Sequence, residues 1–157
     1  MKGLVVYHSK WGNCKTIAEN IARGLEEAGH EITIKPVEEK KVGSEYDFLA
    51  AGSPTRMGRM TGAMRGFLGR GIKRKAWQGK PFIAFGTGVK PEGDGSRFDK
   101  YAARSAERIY DALKSKGLKP VVEPYKAYVG GKEGPLLEGE EERALAFGRE
   151  AGKGLAE

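Results

Sequence analysis

Residues 4–25 read LVVYHSKWGNCKTIAENIARGL. The segment from Lys2 to Tyr7, centred on Leu4-Val5-Val6, reads as a short buried strand. A polar loop with a single glycine, Gly12, follows it. From Asn13 the apolar residues Ile17, Ile21 and Leu25 recur every four positions, with Ala18, Ala22 and Ala28 beside them. That is one face of a helix, and Gly29 stands where a left-handed residue would close it. A helix start collects unpaired backbone N–H groups and the positive end of the helix dipole, so this loop is suited to an anion.

Strand and helix continue to alternate downstream. Glu31 to Val37 sets Ile32 and Ile34 between polar neighbours, as an edge strand does. Tyr46 to Ala51 is a third strand, stopping at Gly52-Ser53-Pro54. Thr61 is placed to cap a short helix with Met64, Phe67 and Leu68 inward, ended by Gly69 and Gly71. Pro81 to Phe85 is mostly apolar and reads as a central fourth strand. Ser96-Arg97-Phe98-Asp99 has the form of a capping box, opening a long helix through Phe98, Ala102, Ile109 and Leu113 to Gly117. Pro120 to Val129 supplies a fifth strand, with Pro124 as a point of interruption. Glu140, Glu141 and Glu142 occupy the first turn of a last helix whose inner face is Leu145, Gly148, Ala151 and Leu155. This order predicts an α/β fold with a parallel sheet and helices on both faces. Such sheets bind ligands beyond the carboxyl ends of their strands. Three loops leave those ends: Ser9 to Cys14, Ser53 to Thr61, and Thr87 to Gly95.

The 157 residues suit one domain, and 39% hydrophobic with 31% charged residues reads as soluble and globular. No stretch approaches a membrane span, and the first twenty residues do not form a signal peptide. One cysteine and two histidines exclude a disulfide framework and argue against a metal centre. A cytoplasmic, metal-free protein is the expectation. The net charge of +7 is concentrated. Between Phe48 and Pro91 stand nine basic residues and no acid, while the remaining 19 basic and 21 acidic residues leave a net −2. A local anionic partner and a solvated surface are equally good readings of that block.

Two other phosphate motifs compete with the opening loop. Lys15-Thr16 resembles the end of a P-loop, but that motif needs glycine at positions 9 and 14, which hold Ser9 and Cys14. Gly86-Thr87-Gly88 is half a dinucleotide fingerprint, with Val89-Lys90-Pro91 where the third glycine belongs. Ser-x-x-Gly-Asn directly after the first strand is more specific, and here the chain resembles the flavodoxin family. That family cradles the phosphate of FMN, without a lysine, in a loop of the form [ST]-x-[ST]-G-N-[ST]. Ser9, Gly12 and Asn13 match it; Trp11 and Cys14 stand where hydroxyl residues are usual. The resemblance leaves Lys10 and Lys15 as cations to compensate for the two missing hydroxyls.

The second loop, Pro54-Thr55-Arg56-Met57-Gly58, is similar to the flavin loop of the tryptophan-repressor-binding-protein type of quinone reductases. These share the flavodoxin fold and carry Pro-Thr-Arg-aromatic-Gly at this place. Met57-Gly58 also fits the family pattern in which a peptide turns over to meet the N5 side of the flavin, a movement glycine tolerates. The third loop is similar to the family's remaining ring-binding segment. The resemblance implies a flavodoxin-like three-layer sandwich with a five-stranded parallel sheet in the order 2-1-3-4-5. It implies FMN as cofactor, held by Ser9, Lys10, Trp11, Gly12, Asn13 and Cys14 at the phosphate. Pro54, Thr55, Arg56, Met57 and Gly58, with Thr87, Gly88 and Val89, would meet the ring.

The same resemblance implies a small electron-transfer protein, with an NAD(P)H-dependent quinone oxidoreductase as the alternative. The reductases that share the Pro-Thr-Arg loop carry extra segments around the later strands, and only about ten residues separate Gly86 from Ser96. The basic block around Arg56 and Arg59 predicts redox partners with acidic surfaces, whereas family carriers are usually acidic themselves. It also predicts a less negative second reduction potential. A unit charge about 7 Å from another interacts by roughly 0.6 kcal/mol at the dielectric of water and about 2.4 at an effective 20. NAD(P)H or a quinone would be partners of the reductase alternative. A nucleic-acid partner for Arg70 to Lys80 is disfavoured, since no recognised module surrounds that stretch. A flavodoxin-like scaffold that has lost FMN is kept open by Trp11 and Cys14.

Trp11 is expected to touch cofactor or partner, Met57 to cover a ring face, and Trp77 to pack internally. Cys14 reads as a small loop residue rather than a redox thiol. Phe98 reads as core, with Tyr101 a candidate border of the ring, and neither His8 nor His30 receives a role.

Overall fold

Alternate residues of the inner strands point to opposite sides of a sheet, and here both sides are apolar, as a sheet covered on both faces requires. The computed structural model describes residues 1–39, 42–91, 93 and 102–156. Among these, the strands are β1 (Lys2–Tyr7), β2 (Glu31–Pro36), β3 (Phe48–Pro54), β4 (Pro81–Val89), β5 (Lys119–Pro120) and β6 (Tyr125–Val129). They pair in parallel in the order β2-β1-β3-β4, and β5 and β6 both lie beside β4. This is the expected order 2-1-3-4-5, with the fifth position in two pieces. Pro124 directly precedes β6 and has no amide to offer a ladder.

Leu4 and Val6 of β1, Leu49 and Ala51 of β3, and Phe82 and Ala84 of β4 face one side. That side is covered by α2 (Gly62–Gly66), a π-helical turn (Phe67–Gly71), α3 (Arg74–Trp77) and α4 (Ser105–Ser115). Val5, Phe48, Ala50, Ile83 and Phe85 face the other, under α1 (Asn13–Glu27) and α5 (Glu140–Ala156). Trp77 is buried and packs as expected. Thr61 caps α2 by accepting a hydrogen bond from the Met64 amide, and Gly29 closes α1 at φ +100°. Among the described residues no helix is long and apolar enough to cross a membrane.

Some sequence expectations shift. β4 runs on to Val89, so Thr87, Gly88 and Val89 end a strand rather than begin a loop. Hydrogen bonding to β6 carries the strand through its two glycines. In α5 Gly148, Ala151 and Leu155 are buried as expected, but Ala144 rather than Leu145 continues that face, and Leu145 is half-buried. The capping box at Ser96 to Asp99, Phe98 and Tyr101 lie outside the described residues, but the expected passage of that helix through Ala102 does not hold: Ala102 to Arg104 form a turn, with Ala103 at φ +51°, and the helix begins at Ser105. The basic block is also not one patch. Lys80 Nζ donates to the carbonyls of Ser44 and Tyr46, and Arg74 donates to that of Ser115. The end of the π-helical turn is capped by a lysine outside the block: Lys116 Nζ donates to the carbonyls of Leu68, Gly69 and Ile72.

α1 and α5 approach until their backbones touch. A Cβ on Gly24 would lie 2.3 Å from the Leu145 carbonyl oxygen and 2.8 Å from the Gly148 Cα, and one on Gly148 would lie 2.3 Å from the Ile21 oxygen. Because the obstacle is backbone, no rotamer relieves it. Gly24→Val is expected to lower unfolding stability by about 3 kcal/mol in denaturant titration. Gly62→Ala, whose Cβ would meet nothing within 4 Å, is expected to stay within about 0.5 kcal/mol of wild type.

Candidate functional site

The carboxyl ends of β1, β3 and β4 open onto one cleft of about 420 Å³. From the first loop and the start of α1 it is lined by Ser9, Lys10, Trp11 and Asn13; from the end of β3 and the loop after it by Pro54, Thr55, Arg56 and Met57; from the end of β4 by Thr87, Gly88 and Val89. The parallel register brings these segments together: Tyr7 pairs with Gly52, Ser53 with Gly86 and Pro54 with Thr87. Val129 and Lys132 complete the lining. No signal of the first loops announces them. Their only trace in the sequence is the glycine-rich stretch Gly130 to Gly134 after the fifth strand.

Gly12 adopts φ +91°, the left-handed region, and turns the chain from loop into helix. Its amide donates to Ser9 Oγ at 3.1 Å, and its carbonyl accepts from the amide and hydroxyl of Thr16, both at 3.0 Å. No side chain caps α1 and no acid occupies its first turn, so its leading amides keep their affinity for an anion. Asn13 spends its side-chain amide on the segment after β6, donating Nδ2 to the Glu133 carbonyl at 3.2 Å. The Cys14 side chain points into the core rather than the loop, and its thiol bonds to Thr87. Burial pushes the Cys14 thiol far up, and the Thr87 bond offsets only part of this. A thiol so placed stays protonated and unreactive.

The second loop reverses direction over two residues. Met57 at φ +52° and Gly58 at φ +75° form a turn closed by the Arg56 amide on the Arg59 carbonyl (2.9 Å) and the Arg59 amide on the Arg56 carbonyl (3.0 Å). Two successive positive φ values define a type I′ turn, which glycine accepts freely and methionine does not. The left-handed conformation costs a residue with a Cβ roughly 1–2 kcal/mol. Gly58 is buried, while the Met57 side chain is 96% exposed. Trp11 at 45% and Val89 at 51% are the other large apolar side chains left open at this rim.

Behind the loop runs a network of hydroxyls. Ser53 Oγ accepts from the Thr61 amide, Thr55 Oγ1 donates to Ser105 Oγ, and Ser105 Oγ donates to the Ser53 carbonyl. His8, given no role from the sequence, places Nδ1 2.7 Å from Thr61 Oγ1 and so ties the end of β1 to the second loop. Gly86 and Gly88 have a packing explanation. A Cβ on the first would meet Ser105 Oγ at 2.2 Å, and one on the second would meet the Ala103 amide nitrogen at 2.4 Å.

The segment after β6 is braced. The Gly130 amide donates to Pro135 O, Gly134 to Gly131 O and Leu137 to Tyr128 O. Glu140, at the start of α5, accepts from the Tyr128 amide at 2.7 Å and from Arg143. Burial opposes the Glu140 carboxylate, but the Arg143 and Tyr128 hydrogen bonds outweigh it and hold its pKa below the usual range. A folded value below the unfolded one means that this clamp stabilises the fold at neutral pH. The contribution fades as pH falls from the ordinary carboxylate value of about 4.3 through the lower folded one.

An uncapped helix start, cations at the mouth and three open apolar side chains fit a ligand with an anionic end and a flat apolar body. No carboxylate lines the cleft among the described residues.

A flavodoxin-domain family model matches residues 4–121, and the chain belongs to the flavodoxin family. Solved structures of the same fold include a flavodoxin from the domain Archaea, 20% identical over the whole of both chains with a TM-score of 0.80. Oxidised flavodoxin 1 from Bacillus cereus is 19% identical over 98% of each chain with a TM-score of 0.76. A flavodoxin, WrbA-like protein from Agrobacterium tumefaciens is 21% identical over 99% of this chain and 97% of its own, with a TM-score of 0.74. Family membership implies a flavin cofactor.

Gly12 meets no atom within 4 Å of an added Cβ, so space at that point is open and the obstacle to substitution is its left-handed backbone. Gly12→Val is expected to distort the first turn of α1, because a β-branched residue resists the left-handed backbone at that point. Flavin affinity should fall at least about a hundredfold in fluorescence titration, while far-ultraviolet circular dichroism retains the wild-type signal.

Proposed function

We propose that this protein is an FMN-binding electron carrier whose cofactor occupies the cleft at the ends of β1, β3 and β4. The observation that carries the reading is the convergence of two loops and the end of β4 on one cleft, with an uncapped helix start beside it and an exposed apolar rim. The leading amides of α1, turned inward by Gly12, would hold the phosphate. The Arg56–Arg59 turn and the end of β4 would hold the ring, with Met57 and Trp11 beside it. FMN, when bound, accepts and releases one or two electrons; the protein supplies position and electrostatics. The hydroxyl network of Ser53, Thr55, Thr61 and Ser105 keeps the second loop in place, and the cations that line the cleft would raise the potential at which negative charge is accepted. Those cations also favour redox partners with acidic surfaces, whose association would weaken with salt.

The Pro-Thr-Arg-Met-Gly loop and the likeness to the Agrobacterium protein keep a second reading in view, an NAD(P)H-dependent quinone reductase. Anaerobic addition of NADH or NADPH to the purified yellow protein separates the two. The carrier is expected to keep its oxidised spectrum with both nucleotides. Rapid bleaching with quinone turnover would establish the reductase instead, and a colourless protein that takes up no added FMN would remove both readings.

Arg56 lines the cleft, is exposed, and forms no ion pair among the described residues. Arg56→Gln is expected to make the second one-electron potential more negative by about 30–100 mV in spectroelectrochemical titration.

A further inference from the structure

Resting on the flavin reading of the cleft, we propose that Lys132 is a phosphate-binding residue, supplying from beyond the fifth strand the charge that the first loop lacks. Trp11 and Cys14 stand where the family's loop carries hydroxyls. One is an open indole at the rim, and the other is buried against Thr87. The Thr16 hydroxyl is spent on the Gly12 carbonyl, and Asn13 donates to Glu133. The amides at the start of α1 carry only about half a unit of positive charge, whereas a phosphate monoester near neutral pH carries nearly two negative charges.

Three lysines are candidates to make up the difference, and the structure separates them. Lys15 does not line the cleft. Lys10 does, but its ammonium sits 5.1 Å from the centre of the Trp11 ring, held over the indole. Lys132 lines the cleft, is exposed, and has no ion-pair partner among the described residues. Its neighbour Glu133 is tied through its carbonyl to Asn13, the first residue of α1. Gly134, at φ +106°, lets the chain pass so close that a Cβ there would lie 2.7 Å from Asn13 Nδ2. The hydrogen bonds of Gly130, Gly134 and Leu137 then fix the rest of the segment. Lys132 is therefore presented by a braced loop locked to the helix start. Asn13 acts as a positioning residue, and the lysine as a point charge for phosphate.

The test compares FMN with riboflavin, which lacks the phosphate, by fluorescence titration of flavin-free full-length protein. Lys132→Met is expected to weaken FMN about tenfold and leave riboflavin unchanged. Lys132→Arg should remain within about threefold of wild type for FMN. Added salt should narrow the gap between FMN and riboflavin more in wild type than in Lys132→Met. Equal FMN affinity in wild type and Lys132→Met would overturn the assignment and leave the lysine a rim residue. Equal losses for both flavins would also overturn it, as a general disturbance of the cleft. If wild-type protein takes up neither flavin, the flavin reading itself falls and the assignment falls with it.

Discussion

The parallel pairing of β1, β3 and β4 is the constraint from which the cleft follows. In a parallel sheet every strand ends on the same edge, so segments far apart in the chain must emerge side by side. Tyr7 lies beside Gly52, and Pro54 beside Thr87, at that edge because Leu4, Leu49 and Phe82 are neighbours at the buried centre. Apolar side chains on both faces fix the register, since a slip of one residue would exchange the two cores. A rigid edge then permits loops that would be costly alone: a left-handed methionine at position 57 and an uncapped helix start at Asn13.

Among the described residues no carboxylate lines the cleft, while Lys10, Arg56 and Lys132 do. Much of the chain's remaining charge is occupied with holding the fold. Lys80, Arg74 and Lys116 serve as caps for backbone carbonyls, and Arg143 is committed to Glu140. The basic block in the sequence therefore divides into cations that bind the protein to itself and cations that face outward. Only the second group bears on ligands and partners.

Much of this was legible locally. The four-residue spacing of Ile17, Ile21 and Leu25, the stop at Gly29 and the cap at Thr61 are each decided by a few adjacent residues, and each stands as read. That the strands run parallel followed from the alternation of strand and helix, while their order was implied by the family resemblance. The extension of β4 through Gly86 and Gly88 was not legible, because glycines there look like a loop until β6 and Ala103 are set against them. Likewise the inward turn of the Cys14 side chain depends on how α1 is rotated against the sheet, which spacing alone does not give.

The sequence by itself determined the first and last helices and most of the strands, since periodicity and caps depend on near neighbours; of the residues that the resemblance assigned to the first two loops, Gly12, Cys14 and Gly58 do not line the cleft. The tertiary structure decided which charges meet. Lys15 is two residues from Asn13 in sequence and absent from the cleft lining, whereas Lys132 is far from it in sequence and present. Charge acts through space, and the path that brings residue 133 against residue 13 exists only once α1, β6 and α5 have packed.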